Sequence, residues 1–285
     1  MLNSFSHEQV KDPAFFKNNR VEAHSDHKFY GREPFYLSLN GLWKFKYAKN
    51  IKSVIKGFER DDYDCRDWDD IRVPAHIQME GYDAPQYVNV QYPWDGLEEI
   101  EPGQIPEDFN PVGCYVKYVS LHGDRKESAN ISFQGVESAF ALWINGEYVG
   151  YSEDSFTPAE FYISPFLRDG INKIAVEVFK WSSSSWLEDQ DFFRFSGIFR
   201  DVYIYFEPDV HIRDVALFPD LSGDFLKGII KVELKVKGKG RIEASLKDND
   251  KKEVASVKKK INPSEKTVFS LEVDKPNLWS AEKPN

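Results

Sequence analysis

The tightest constraint on the fold is the run Ser138-Ala-Phe-Ala-Leu-Trp-Ile-Asn-Gly-Glu-Tyr-Val-Gly-Tyr151. Two apolar, β-prone stretches flank Asn145-Gly146, the dipeptide of a two-residue hairpin turn in which both positions need positive φ. A chain closed at that point is committed to antiparallel strands, and its neighbours keep the same habit. Residues 39–47 set Trp43, Phe45 and Tyr47 on one face and Leu42, Lys44 and Lys46 on the other, the period of a half-buried strand. Residues 71–79 carry Pro74 and read as an edge or interrupted strand. Residues 114–121 and 129–134 read as short strands, and residues 173–181 alternate Ile174, Val176 and Val178 against Lys173 and Glu177. No amphipathic helix of ordinary length appears. The expected fold is all-β, a jelly-roll β-sandwich.

Around that sandwich the chain has two further parts. Residues 1–37 are polar and irregular, with Pro13, Pro34 and the histidines His7, His24 and His27, whose spacing matches no usual zinc site. Their rings (Phe15, Phe16, Phe29, Tyr30, Phe35, Tyr36) favour an extended arm lying on a neighbouring surface over a free tail. The sandwich then occupies residues 38–207, and composition shifts near Glu207-Pro208. From 208 to 285 the pattern changes: residues 231–237 alternate cleanly, valines and leucine inward and charges outward, and residues 241–247 and 267–273 repeat it. This predicts a second, smaller sandwich of immunoglobulin type. About four strands can be counted there where such a sandwich has about seven, so the second domain is expected to be truncated and the chain to be the front of a longer protein. Between residues 226 and 260 twelve Lys/Arg stand against five Asp/Glu, which outward lysines on exposed strands explain better than a basic ligand face.

Charge and composition narrow the partners. The net charge of −10 argues against nucleic acid or an anionic membrane. Cys65 and Cys114 make no disulfide framework. The N-terminus lacks a basic start followed by an apolar run, so it reads as no signal peptide, and no stretch approaches the roughly 20 apolar residues of a spanning helix. A soluble, cytoplasmic protein is expected.

Chemistry concentrates in Trp186-Leu-Glu-Asp-Gln-Asp-Phe-Phe-Arg-Phe-Ser-Gly-Ile-Phe-Arg-Asp-Val202. Glu188, Asp189 and Asp191 fall within four residues, among five aromatics and the arginines Arg194 and Arg200. Carboxylates beside rings suit the wall of a cleft that meets sugar hydroxyls or a cation. The competing reading is an acidic loop before a buried strand at 198–206, its acids neutralised by the two arginines. The loop at residues 81–94, dense in turn formers and rings, is either a structural plug or a binding loop. No glycine-rich phosphate loop, zinc pattern or nucleophile elbow is present, and the serine run 182–185 reads as a turn. Glu188 and Asp191 can be nominated as a glycosidase pair, but only on their residue type.

Six runs carry a family resemblance: Leu39-Asn-Gly-Leu-Trp-Lys-Phe45, Gln78-Met-Glu-Gly-Tyr-Asp-Ala-Pro-Gln-Tyr-Val-Asn-Val-Gln-Tyr-Pro93, Asn110-Pro-Val-Gly-Cys-Tyr115, Leu142 to Tyr151, Leu187-Glu-Asp-Gln-Asp191 with Ser196 to Val202, and Asn277-Leu-Trp-Ser-Ala-Glu-Lys-Pro-Asn285. Over nearly its whole length the chain resembles the N-terminal part of the β-galactosidases of glycoside hydrolase family 2. The resemblance implies a sugar-binding jelly roll, then an immunoglobulin-like domain, then a (β/α)₈ barrel that holds both catalytic glutamates. This chain would end before the barrel, so neither catalytic residue is expected in it, and Glu188 and Asp191 are not the acid and nucleophile. By the same resemblance, Asn89 and Val90 match a loop reaching into the galactose pocket. Asp191 matches a carboxylate that contacts galactose and helps hold a sodium ion. A Mg²⁺ ion of the complete enzyme finds no ligands here: Ser183 stands where some relatives have an aspartate, and Glu153 replaces a glutamine. The expected function is the non-catalytic region of a retaining β-galactosidase acting on substrates such as lactose, its arm supporting homo-oligomer assembly. The alternative is a free-standing galactose-binding or scaffold module.

Overall fold

The computed structural model describes residues 4–25, 36–122, 128–188, 190–262 and 266–284. His27, Phe29, Tyr30, Pro34 and Phe35 of the arm, and Asp189 of the acidic run, lie outside the described residues. The chain divides into two compact units at Phe206/Glu207, with the segment beginning at Glu22 belonging to the second. Regular structure is strand and short 3-10 turns throughout, as an all-β chain requires. No helix among the described residues is long and apolar enough to cross a membrane.

The first unit is the expected jelly-roll sandwich. Its larger sheet has seven strands in the order Lys17–Asn18, Glu147–Glu153, Ala139–Ile144, Gly170–Phe179, Val112–Leu121, Gly41–Ala48 and Asp69–Val73. Its smaller sheet orders Ala159–Tyr162, Ser128–Phe133, Val202–Glu207 and Tyr36–Ser38. Asn145 and Gly146 take φ of 52° and 84° and close the hairpin with Glu147 opposite Ile144. Asp69–Val73 is an edge strand that stops before Pro74, and residues 77–80 continue as a 3-10 turn. The strand expected at 198–206 is broken. Gly197–Ile198 and Val202–Glu207 are separate strands, parted where the main chain of Phe199 and Arg200 donates to the carbonyl of Gly135.

The large sheet is buried on both faces, which the alternation did not anticipate. Between the sheets pack Trp43, Phe45, Tyr115, Phe140, Leu142, Ile174, Val176 and Val178 with Ile131, Phe133 and Ile204 of the smaller sheet. On the far side Cys114, Ala141, Trp143, Ala175 and Phe179 pack beneath Val10, Ile51, Phe58, Trp68 and Ile105. Lys173 and Glu177, read as outward residues, are therefore buried, at 1% and 4% exposure. A buried charge needs partners. The Lys173 ammonium donates to the carbonyls of Phe58, Arg60 and Tyr63 at 2.6–3.0 Å, and Glu177 holds His7 Nε2 at 2.7 Å.

Residues 4–21 of the arm form part of this second layer. Phe5 stacks on Tyr148 and Tyr151, Phe15 stacks on Tyr151, and Val10 is fully buried. Lys17–Asn18 adds a strand to the sheet edge, and Val21 N–H donates to the Glu160 carbonyl at 2.8 Å.

Among the described residues the second unit has five strands, where about four were expected. His211–Leu221, Lys227–Lys237 and Thr267–Asp274 form one sheet, and Gly240–Lys247 and Glu253–Ile261 form another. Two of the five lie outside the three cleanly alternating runs: His211–Leu221 contains Pro219 and a register shift, and Glu253–Ile261 is lysine-rich. Val232, Leu234, Ile242 and Ile261 make the core between them, which fits the immunoglobulin-like reading of valines and leucine inward.

The arm's seat depends on one missing methyl. A Cβ at Gly150 would lie 2.6 Å from the Asn18 carbonyl oxygen and 2.6 Å from the Phe161 ring. Gly150→Ala is expected to lift the arm strand and cost about 1–3 kcal/mol. Thermal melting and limited trypsin digestion check this: the variant should be cut at Lys11 or Lys17 while wild type resists.

Candidate functional site

The two stretches singled out by chemistry meet in a two-stranded ribbon. Gln86–Val88 pairs antiparallel with Phe192–Arg194, Phe192 opposite Val88 and Phe193 opposite Tyr87. That register brings Asn89 opposite Asp191 at one end. Both are exposed, and Val90 beside them is 89% exposed. The Tyr87 hydroxyl bridges the pair: it donates to Asp191 Oδ1 at 2.5 Å. This bond holds the Tyr87 hydroxyl above its ordinary value, and the Asn89 side chain pulls the same group the other way. The second Asp191 oxygen has no hydrogen-bond partner among the described residues. All three residues expected at the site thus lie together, with Tyr87 a fourth member that the sequence did not mark.

The register is set from below. Ala75 N–H donates to the Ile198 carbonyl and Ile77 N–H to that of Ser196, both at 2.9 Å. The buried Gln78 side chain accepts from Ser196 N–H and donates to Ser196 Oγ and Asp83, each at 2.9 Å. Asp83 in turn holds the buried Lys180 ammonium at 2.7 Å. Burial opposes ionisation of Asp83, but the Lys180 bond and charge prevail and its pKa falls below the usual carboxylate value.

Loop 81–94 is packed at its base and exposed at its tip. Its base is a plug: Trp94 is buried against Trp181 and Trp186 and stacks on Tyr92, while Gln86 donates to the Pro93 carbonyl at 2.7 Å. Its tip, Asn89-Val90, stays free of that packing.

Among the described residues the hydrogen bonds of the two arginines go to main-chain carbonyls. Arg194 donates to the carbonyls of Glu188 and Gln190 at 2.8 and 2.7 Å, and Arg200 to that of Phe156 at 2.7 Å. Glu188 has both oxygens on Ser155, from N–H at 2.9 Å and Oγ at 2.7 Å. It is a structural acceptor tying two loops. The serine run is a 3-10 turn, Ser183–Trp186, as expected. Glu153 accepts from the Tyr151 hydroxyl, Ser183 Oγ and Ser184 N–H, each at 2.8 Å, so its oxygens are committed within the fold. Among the described residues no cluster of three His, Cys, Asp or Glu could hold a metal ion.

Sequence reasoning also missed Glu137. It lines one small cavity with Glu188, Lys180 and Arg194, beneath the ribbon. Burial, and then the charge of Glu188, push its pKa up to about 7. Nothing local marks a single acid between Val136 and Ser138 as special. A carboxyl whose folded pKa exceeds its unfolded value of 4.5 binds more protons when folded. Stability therefore falls as pH rises from about 4.5 to about 7 and is level above that. Glu137→Gln should flatten that fall and gain on the order of 1–3 kcal/mol at pH 8, read by denaturant melts across the pH range.

Comparison with known proteins follows the same division of the chain. The profile for "Glycosyl hydrolases family 2, sugar binding domain" matches residues 36–208, and that for "Glycosyl hydrolases family 2" matches residues 210–285. A β-galactosidase of Clostridium acetobutylicum is 45% identical over 99% of this chain and 33% of its own length. One from Halalkalibacterium halodurans is 49% identical over 96% of the chain and 28% of its own length. The chain spans about a third of these curated relatives. A crystal structure of a family 2 glycosyl hydrolase from Bacteroides cellulosilyticus superposes with a TM-score of 0.63 at 20% identity, covering 87% of this chain and 32% of the other. A two-sandwich fold with both profiles in order, and this identity to β-galactosidases, places the chain in glycosyl hydrolase family 2.

Proposed function

We propose that this chain is the non-catalytic N-terminal region of a retaining β-galactosidase, and that Asn89, Val90 and Asp191 form one wall of its pocket for the terminal galactosyl unit. The observation that supports it best is the ribbon register, which joins the two specific runs at one exposed end. An amide offers a donor and an acceptor to sugar hydroxyls, and a carboxylate accepts from them or binds a hard cation. The acid, base and nucleophile would come from the remainder of the polypeptide. Val90, exposed and apolar, suits contact with the ring carbons or with that remainder.

Sodium fits this site in part. Asp191 supplies one carboxylate oxygen that no described residue engages, and the register puts Asn89, with its amide oxygen, opposite it. That is a fragment of the oxygen shell a hard cation takes, so the ion would be shared with groups outside this chain. Bound there, it would neutralise Asp191 and orient a sugar hydroxyl. The committed oxygens of Glu153 and the short Ser183 leave nothing at that place for Mg²⁺, whose ligands in the complete enzyme would lie elsewhere. Homo-oligomer assembly and a cytoplasmic setting belong to the same proposal. The buried free thiols of Cys65 and Cys114 are consistent with a reducing compartment.

The test is kinetic, in the full-length enzyme. Asn89→Ala and Asp191→Ala should each lower kcat/KM for lactose or an aryl β-galactoside by about 5- to 150-fold, which is roughly 1–3 kcal/mol of transition-state binding. Wild-type kinetics in both would sink the assignment. Calorimetry on residues 1–285 alone should show only weak galactose binding, because one wall makes half a pocket. Tight binding would favour a free-standing sugar-binding module.

A further inference from the structure

Asp191 stands on an exposed turn at the end of a three-residue strand. A carboxylate so placed samples several rotamers unless its surroundings limit it. Misplacement by about 1 Å is enough to lose much of a directed hydrogen bond's benefit.

Two contacts limit it, and neither belongs to the residues that would face the sugar. Arg194, 3% exposed, spans the turn from below. Its Nη1 donates to the Glu188 carbonyl at 2.8 Å and its Nη2 to the Gln190 carbonyl at 2.7 Å. Its guanidinium lies over the Phe192 ring, 4.4 Å from the centroid. A planar fork making two directed bonds while stacked on a ring is what a lysine cannot reproduce. From the facing strand, 104 residues away in sequence, Tyr87 donates to one Asp191 oxygen, and its ring packs against Phe193 at 5.5 Å.

We infer that Tyr87 and Arg194 are positioning residues for Asp191: Arg194 holds the main chain of the turn, and Tyr87 occupies one carboxylate oxygen so that the other is presented outward. This rests on the reading of Asp191 as a sugar or cation ligand. A phenol suits the task, since it donates one proton along a fixed direction and stays protonated at neutral pH.

The test is a double-mutant cycle in the full-length enzyme, with an aryl β-galactoside as substrate and thermal melting in parallel. Tyr87→Phe keeps the half-exposed ring and removes only the hydroxyl. It should lower kcat/KM about tenfold with an unchanged melting temperature. The Tyr87→Phe/Asp191→Ala enzyme should be no worse than Asp191→Ala, because a residue acting through Asp191 has nothing left to position. Arg194→Lys should lose activity in the same non-additive way. If the buried lysine unfolds the protein, the Tyr87 cycle still decides. A full, multiplicative loss from Tyr87→Phe in the Asp191→Ala background overturns positioning while leaving Asp191 as a ligand. Wild-type activity of Tyr87→Phe also overturns it. Wild-type activity of Asp191→Ala overturns both readings together.

Discussion

The structure depends on the burial of both faces of its central strands. Gly170–Phe179 pairs with Val112–Leu121 along all ten residues and with Ala139–Ile144 on its other side. One face meets the smaller sheet and the other meets a second layer of loops and arm. A strand buried on both faces has no solvent side for its polar groups. Lys173 must therefore collect three carbonyls, Glu177 must hold His7, and Asn172 must bond Arg168 and Asn145. These polar residues bind the covering segments to the sheet through geometry that apolar packing alone would leave degenerate.

The site inherits its position from that strand. Where Gly170–Phe179 ends, Lys180 N–H donates to the Pro111 carbonyl, and the Asn110 side chain clasps the Trp181 main chain in two bonds. Trp181 then meets Trp94, which in turn meets Trp186, and Lys180 meets Asp83. The sheet thus anchors both halves of the ribbon that carries Asn89 and Asp191. The ribbon is short, and a two-stranded ribbon is marginal by itself, so its register follows from this anchoring rather than from its own pairing.

Acidic groups near the ribbon separate by environment. Glu137 is buried and Glu188 half-buried, and both are held toward the neutral form, while Asp191 is exposed, with one oxygen engaged by a phenol. One short run of carboxylates therefore holds a structural acceptor and a ligand candidate, and the difference lies in what surrounds each rather than in residue type.

Local chemistry in the sequence was enough for the all-β class, the Asn145-Gly146 hairpin, the interruption at Pro74 and the inward faces of Trp43, Phe45, Val232 and Leu234. Each rests on the period-2 geometry of a strand or on a turn residue's φ, and neither needs a distant partner. The matching runs likewise pointed to the family, and they nominated Asn89, Val90 and Asp191 for the proposed site. Only tertiary structure decided that the large sheet is covered twice, that Lys173 and Glu177 lie inside, that Arg194 serves carbonyls, and that Tyr87 reaches Asp191. Those outcomes turn on which segments far apart in sequence come into contact, and alternation along a single strand reports that a face is buried or polar without naming what covers it.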